Sequence, residues 1–344
     1  MRKNDRLLHV LEGRPTEVTP VWIMRQAGRY LRDYRDLRER YSFLELCTEP
    51  ERIAEVTLLP LRELDVDGLI IFSDILLLLL ALGVDVAFKE KEGPVILNPI
   101  RTGEDIARLK AFEPEEKKLP VLTAIRMLSG RSLPLIGFSG APFTLASYAV
   151  EGGHSRHFLA IKTLLYQHRP LFEILMEKLT KAVTGLLEAQ VAAGVDAVQL
   201  FDTWAGVLAY DDYVTFVEPY SRQIVRALEK KVPVIHFVLD SAHLLPSLAL
   251  MGSRAIGIDW RIPVDRARAI VGDGVALQGN LDPAALFAPH EVIEGKVREI
   301  LSKASGKGGH IFNLGHGILP QTPLENVKCM IEAVHTFSRS PDQP

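Results

Sequence analysis

Val195-Asp196-Ala197-Val198-Gln199-Leu200-Phe201, entered from the long helical stretch 170–193 and left at once into Asp202-Thr203-Trp204, carries the pattern on which the fold turns. The run is short, apolar and rich in β-branched residues, as a strand buried on both faces requires. Runs of the same kind occupy 21–24, 68–72, 134–138, 233–238, 255–258, 275–278 and 309–314. Helical stretches such as 51–64, 212–230, 264–271 and 291–304 separate them. Alternation of this sort makes a parallel sheet with crossover helices, and eight such units predict a closed (β/α)8 barrel of the TIM class. Residues 83–124 and 151–167 are too long for simple connections and read as extended loop inserts. No repeat or linker-like tract divides the chain. Residues 1–344 therefore read as one barrel domain, with an N-terminal extension at 1–15 and a mobile tail at 338–344.

Composition narrows the function. The chain has 344 residues, 47% apolar and 24% charged, which describes an ordinary soluble globular protein able to bury a large core. A formal net charge of −3 argues against nucleic acid as a partner, since non-specific binding there needs a positive field. Any anionic ligand must be met by positive charge gathered locally. Two distant cysteines, Cys47 and Cys329, outside any CxxC pairing, suit a reducing compartment and supply no cysteine zinc site. The opening residues lack the apolar core of a signal peptide, so a cytoplasmic location is expected. The most apolar segment, 68–86, includes five consecutive leucines from Leu76 to Leu80. Ser73 and Asp74 interrupt it, and a membrane span wants about 20 mostly apolar residues; a buried strand and then a buried helix are expected instead.

In a (β/α)8 barrel the residues just after each strand converge on one rim, where active sites of this fold are built. Here those residues are Arg25, Ser73-Asp74, Ser139-Gly140-Ala141-Pro142, Asp202-Thr203-Trp204, Asp259-Trp260, Gly279-Asn280-Leu281-Asp282 and Gly315-His316-Gly317. Turn chemistry alone would make most of them polar or glycine-rich, so the residue types matter more than their polarity. From Arg25 to Arg40 six arginines face three acids, Asp33, Asp36 and Glu39, a local positive excess in an acidic chain. Arg32, Arg35 and Arg40 read as partners of those acids on a solvated helix face. Arg25 and Arg29 precede the acids at a strand exit beside Gly28, and their forked donors suit carboxylate or phosphate. Asp74 reads either as a helix cap or as a lone acceptor facing a positive pocket; among arginines it is expected to stay ionised. His316 sits between glycines that let backbone and ligand approach closely. HExxH, a P-loop and a post-strand GxGxxG are absent, and Glu151-Gly152-Gly153-His154 has no metal-ligand spacing. Neither a metal nor a nucleotide cofactor is expected.

These residues also carry a resemblance. Pro20-Val21-Trp22-Ile23-Met24-Arg25-Gln26-Ala27-Gly28-Arg29-Tyr30 resembles the N-terminal signature of the uroporphyrinogen decarboxylase family, and Gly137-Phe138-Ser139-Gly140-Ala141-Pro142-Phe143-Thr144 resembles its second signature. Ile71-Phe72-Ser73-Asp74-Ile75-Leu76, Tyr148-Ala149-Val150-Glu151-Gly152-Gly153, Leu277-Gln278-Gly279-Asn280-Leu281-Asp282-Pro283 and Asn313-Leu314-Gly315-His316-Gly317 match in the same order. The resemblance implies a (β/α)8 barrel, a homodimer with facing clefts, and cofactor-free decarboxylation of a reduced tetrapyrrole, uroporphyrinogen, in haem biosynthesis. It places Arg25, Gln26, Ala27, Gly28, Arg29 and Arg38 in a loop that binds substrate carboxylates. It gives Asp74 the pyrrole N–H groups, and Tyr148, Thr203 and His316 the remaining substrate places. Asp74, Arg25 and Arg29 become the expected catalytic residues. Thr203 stands where some members have serine, which keeps the hydroxyl. The chain's rivals to this reading are a corrinoid- or thiol-linked methyltransferase on the same barrel, which would need His and Cys around zinc, and a non-catalytic tetrapyrrole carrier.

Overall fold

The computed structural model describes residues 4–89, 93–114, 119–153, 155–306 and 308–339. Residues 1–3 of the expected extension, 340–344 of the expected tail, and His154 lie outside them. Seven parallel strands form one curled sheet: β1 Leu69–Ile70, β4 Leu135–Gly140, β5 Ala197–Phe201, β6 Val234–Phe237, β7 Ala255–Gly257, β8 Ala276–Leu281 and β9 His310–Leu314, neighbours in that order. Strands β2 Val86–Lys89 and β3 Gly93–Ile96 form a separate antiparallel hairpin. The fold is the (β/α)8 barrel that the alternation predicts.

The eighth stave departs from expectation. Residues 21–24 make no ladder, only one parallel bridge from Val21 to Phe312. Scattered backbone bonds and two side chains share the rest of the pairing. On the β9 side Phe312 N–H donates to the Pro20 carbonyl (2.8 Å), and the Asn313 side chain accepts from Met24 N–H (3.0 Å). On the β1 side Asp67 N–H donates to the Val21 carbonyl (2.7 Å), while its carboxylate accepts from Val21 N–H (2.9 Å). The barrel closes, but through a few backbone bonds supplemented by the Asp67 and Asn313 side chains rather than a regular ladder.

The segment read as an extension is structural. Its helix Arg6–Leu11 buries Leu7, Val10 and Leu11 inside the barrel with Trp22, Ile136, Ile235 and Ile311. Leu7 abuts Gly68 and Val10 abuts Gly309, at the entrances of β1 and β9, so the helix plugs the end opposite the rim. Above it the Trp22 indole N–H donates to Gln278 Oε1 (3.0 Å), and Gln278 Nε2 donates to Gln199 Oε1 (2.9 Å), a buried polar chain across the barrel. Outside the sheet the longest helix, Arg169–Ala193, seats Gln190 on both backbone groups of Phe138 (2.8 and 2.9 Å). The stretch predicted as one helix at 212–230 is two, Tyr210–Phe216 and Glu218–Leu228, broken at Val217. Pro219 falls in the first turn of the second helix, where its missing N–H costs nothing. Among the described residues no helix is long and apolar enough to cross a membrane.

Candidate active site

A cavity of about 460 Å³ opens at the rim, within the size range of small-molecule sites. Arg25, Gln26, Ala27, Gly28, Arg29, Arg38, Asp74, Thr203 and His316 all line it. Nine of the ten residues expected at the site thus meet around one space. Tyr148 stands just behind this wall, its ring stacked on Trp204 at 3.9 Å.

The floor is aromatic. Phe138, Phe201 and Phe237 sit near the ends of β4, β5 and β6 and run edge to face, 5.6 and 5.9 Å apart, with the His316 ring 6.2 Å beyond Phe237. Phe72, Phe43 and Phe88 extend it towards the hairpin, Phe43 lying 6.1 Å from Phe72 and 4.9 Å from Phe88. A broad apolar surface lined by aromatic edges and faces is what a large ligand with apolar ring faces would pack on. Sequence reading missed this floor. The signal was available as the last inward-facing side chain of three successive strands, each a phenylalanine.

The arginine loop is built by its neighbours. Gln26 is buried and points away from solvent: Oε1 accepts from Ile23 N–H and Nε2 donates to the Gly68 carbonyl, both at 3.1 Å. Its amide anchors the loop to β1. The Tyr30 hydroxyl donates to the Gln26 carbonyl (2.6 Å). Arg35, expected to pair with a helix acid, instead donates to the carbonyls of Arg29 (2.8 Å) and Tyr30 (2.9 Å). Arg32 does reach Asp36, at 3.9 Å, whereas Asp33 pairs with Arg62 and Arg40 turns to the Asp36 carbonyl. Arg25 holds a left-handed backbone (φ 64°) at the turn where Gln26 N–H meets the Ile23 carbonyl (2.9 Å), a conformation costly for a residue with a side chain. Two glycines make room for it. A Cβ on Gly28 would come within 2.9 Å of the Arg25 carbonyl, and one on Gly317 within 2.5 Å of Arg25 Cδ. The Arg25 side chain therefore lies across the His316–Gly317 turn. Arg25 and Arg29 are exposed, and among the described residues neither has an acidic partner within ion-pair distance. Arg38 is half-buried, donates to the Tyr41 carbonyl (2.8 Å) and lies over the Phe43 ring.

Asp74 satisfies both readings at once. Its Oδ1 accepts from Leu76 N–H (2.8 Å), capping the turn that leads into the helix Leu77–Ala81, while the residue faces the cavity. Its pKa shifts in the direction opposite to the one the arginines alone would give. Enclosure by protein raises its pKa, and that outweighs the lowering by the Leu76 N–H and by Arg25. Although part of its surface reaches the cavity, apolar walls surround it. The same burial takes the His316 imidazole down to about 4, helped by Arg25 and Arg261, so the ring is neutral near pH 7. Tyr148 is pushed up to about 12 by burial and by Asp74, against Arg25.

One strand-end residue expected at the rim, Asp202, is buried and does not line the cavity. Asp202, fully buried, accepts from the hydroxyls of Thr144 (3.1 Å) and Ser221 (3.4 Å), with His236 Nε2 at 4.0 Å. Burial lifts its carboxyl to about 7 against those hydrogen bonds. The two cysteines stay in the helical layer, Cys47 in the helix Phe43–Thr48 and Cys329 in Leu324–Phe337, neither at a strand end.

The model of a family described as uroporphyrinogen decarboxylase (URO-D) matches residues 2–337. This chain belongs to the uroporphyrinogen decarboxylase family. Curated relatives agree: uroporphyrinogen decarboxylase from Sorangium cellulosum is 50% identical over 98% of this chain and 97% of its own. That of Carboxydothermus hydrogenoformans is 48% identical over 97% of each chain, and that of Thermus thermophilus 48% over 96% and 97%. Among solved structures, a methyltransferase from Methanosarcina mazei superposes with a TM-score of 0.82 over 96% of this chain and 98% of its own. At 22% identity that likeness concerns the barrel alone. Read with the family, the arginine loop, Asp74 and the aromatic floor form one site at the rim, the place where barrel enzymes keep theirs.

Proposed function

We infer that this chain is a uroporphyrinogen III decarboxylase, a carboxy-lyase that converts four acetate side chains to methyls and yields coproporphyrinogen III and carbon dioxide in haem and porphyrin biosynthesis. One observation carries the reading: among the described residues a single carboxylate, Asp74, lines an aromatic-floored cavity whose loop wall presents Arg25, Arg29 and Arg38. The substrate has the matching layout, a ring of pyrrole N–H donors at its centre and carboxylates at its edge. Arg25 and Arg29 hold carboxylates with their forked donors, Arg38 widens that rim, and the backbone at Ala27 and Gly28 lets the macrocycle approach. Asp74 gathers the pyrrole N–H groups. Hydrogen bonds donated to a carboxylate favour its charged form, so the ligand supplies what burial takes away. Thr203, Tyr148 and the neutral His316 complete the surround.

The chemistry needs an electron sink, which many decarboxylases borrow from a cofactor. A pyrrole can provide its own. A proton added to the ring carbon beside the acetate makes the ring cationic. The bond to the carboxylate then breaks and its electron pair flows into that ring, releasing carbon dioxide. The exocyclic methylene left behind takes up a proton to become methyl as the ring carbon loses its own, so each cycle consumes one proton. Asp74 stabilises the cationic ring, and a preorganised group of this kind is worth roughly 3–4 kcal/mol.

The chain works as one barrel domain in the cytoplasm, as a homodimer, with the tetrapyrrole as its partner and neither nucleic acid nor membrane. The family resemblance supports the dimer, which light scattering on a sizing column would read as twice the 38.3 kDa chain mass. The reaction is tested by anaerobic incubation with uroporphyrinogen III in EDTA, followed by chromatography of the oxidised porphyrins. Stepwise seven- to four-carboxylate products are expected. Substrate bound but recovered unchanged by folded protein would replace the enzyme with a carrier.

A further inference from the structure

Asp202 ends the segment that opened the sequence reading, one residue before Thr203 and two before Trp204, yet its side chain avoids the cavity. It enters the layer between sheet and helices, where Oδ1 accepts the Thr144 hydroxyl proton (3.1 Å). The Thr144 oxygen in turn accepts from Trp204 N–H (3.2 Å). A hydroxyl can donate once and still accept, which makes threonine a link between the two. Thr144 and Tyr148 are four residues apart on the helix Pro142–Glu151 and so lie on one face of it. Between them they hold both parts of Trp204: Thr144 its backbone N–H, Tyr148 its ring, at 3.9 Å and 31°. Phe158 closes another edge of the indole at 5.0 Å. The Ala141 position that begins this helix has no side chain able to cap it, and Asp202 places a carboxylate against its first turn instead. Strand end, helix and aromatic stack are thereby locked to one another directly behind the wall that carries Thr203.

We propose that Asp202 and Thr144 are positioning residues: through the Trp204 backbone they set the Thr203 turn, and through the Trp204 ring they set Tyr148 beside Asp74 and Arg25. The proposal rests on the decarboxylase reading for what the positioning serves, but the clamp itself can be read without turnover.

Thr144→Val keeps the shape and removes both hydrogen bonds, while Thr144→Ser keeps the hydrogen bonds and removes a methyl. The full chain labelled with 5-fluorotryptophan gives fluorine NMR signals from Trp22, Trp204 and Trp260, with Trp204 assigned by Trp204→Phe. Thr144→Val is expected to move the Trp204 signal alone and to lower kcat at least tenfold with a smaller change in KM; Thr144→Ser returns both towards wild type. A Trp204 signal and kcat unmoved in Thr144→Val overturn the proposal. So does Thr144→Ser matching Thr144→Val in damage, because packing of the methyl would then explain the effect. If Thr144→Val does not fold, Asp202→Asn tests the same link, with an unmoved Trp204 signal as the refuting outcome. Wild-type protein that leaves uroporphyrinogen III unchanged would sink the decarboxylase reading, and the fluorine spectra would still decide the clamp.

Discussion

Asp74 is held where a carboxylate is least comfortable. Burial acts against its charge, and the Leu76 N–H and Arg25 only partly oppose that. Groups kept at such a cost in a folded protein are commonly kept for function, and removing them tends to leave stability equal or higher. Asp74→Asn retains an acceptor for the Leu76 N–H while discarding the charge. Its melting temperature should equal or exceed wild type, and its kcat on uroporphyrinogen III should fall about 10²–10³-fold. A variant with near-normal turnover would take Asp74 out of the chemistry. At this scale the sequence was a good guide to residue type and a poorer one to surroundings. Arginines beside a strand exit are legible as anion binders, but their number suggested a charged Asp74. Whether burial or charge wins depends on the walls, and those come from distant segments. Arg35 shows the same limit: it looks like any helix-surface arginine, and only the folded loop reveals it bracing Arg29.

The elements were mostly legible because a strand buried on both faces is a short apolar run wherever it occurs. The failures have local causes. Residues 21–24 read as a strand, yet side chains of Asp67 and Asn313 take some of the backbone partners, so the segment closes the barrel without a regular ladder. The hairpin β2–β3 inside the 83–124 insert went unread because its pairing is confined to four residues a side. Pro219 marks the helix start that a single predicted helix ran through. The closing seam has a measurable weight. The buried Asp67 carboxylate accepts from Val21 N–H (2.9 Å), His335 Nε2 (2.7 Å), Arg6 Nη1 (3.1 Å) and Asn4 Nδ2 (3.0 Å). Removing one partner of such a group typically costs about 3–5 kcal/mol. Asp67→Ala should therefore lower the urea midpoint by that free energy at unchanged slope. A loss under 1 kcal/mol would mean that the backbone bond between Asp67 and Val21 closes the barrel on its own.

For the whole molecule, pH sensitivity follows from histidines buried uncharged. His310 is held at about 4, mainly by burial, while its Nε2–H donates to the Gly279 carbonyl (2.8 Å). An unfolded histidine titrates near 6.5, so this contribution to stability is complete above that pH and is lost as pH falls towards 4. The loss is on the order of 3 kcal/mol. Asp202 acts in the opposite direction, its raised carboxyl favouring the fold at low pH and that advantage fading as pH rises through about 7. His236 lies 4.0 Å from Asp202, so a substitution at either alters the other's surroundings, and His310 is the cleaner probe. Melting temperatures of wild type and His310→Gln should converge or cross between pH 6.5 and 4, since glutamine keeps the donor and has no proton to gain. Parallel curves would remove His310 from the acid limb.

The sequence by itself determined the barrel, the rim on which chemistry is carried, the arginine loop and the identity of the acid within it. It could do so because strand periodicity is local and because this family's site residues are contiguous with strand ends. Only the tertiary structure decided which strand-end phenylalanines join into a floor, how the barrel closes, that Gln26 and Arg35 brace the loop, and that burial pushes the Asp74 pKa up. Each of those outcomes depends on desolvation and on hydrogen bonds between segments tens to hundreds of residues apart, and such quantities exist only once the chain has brought the segments together.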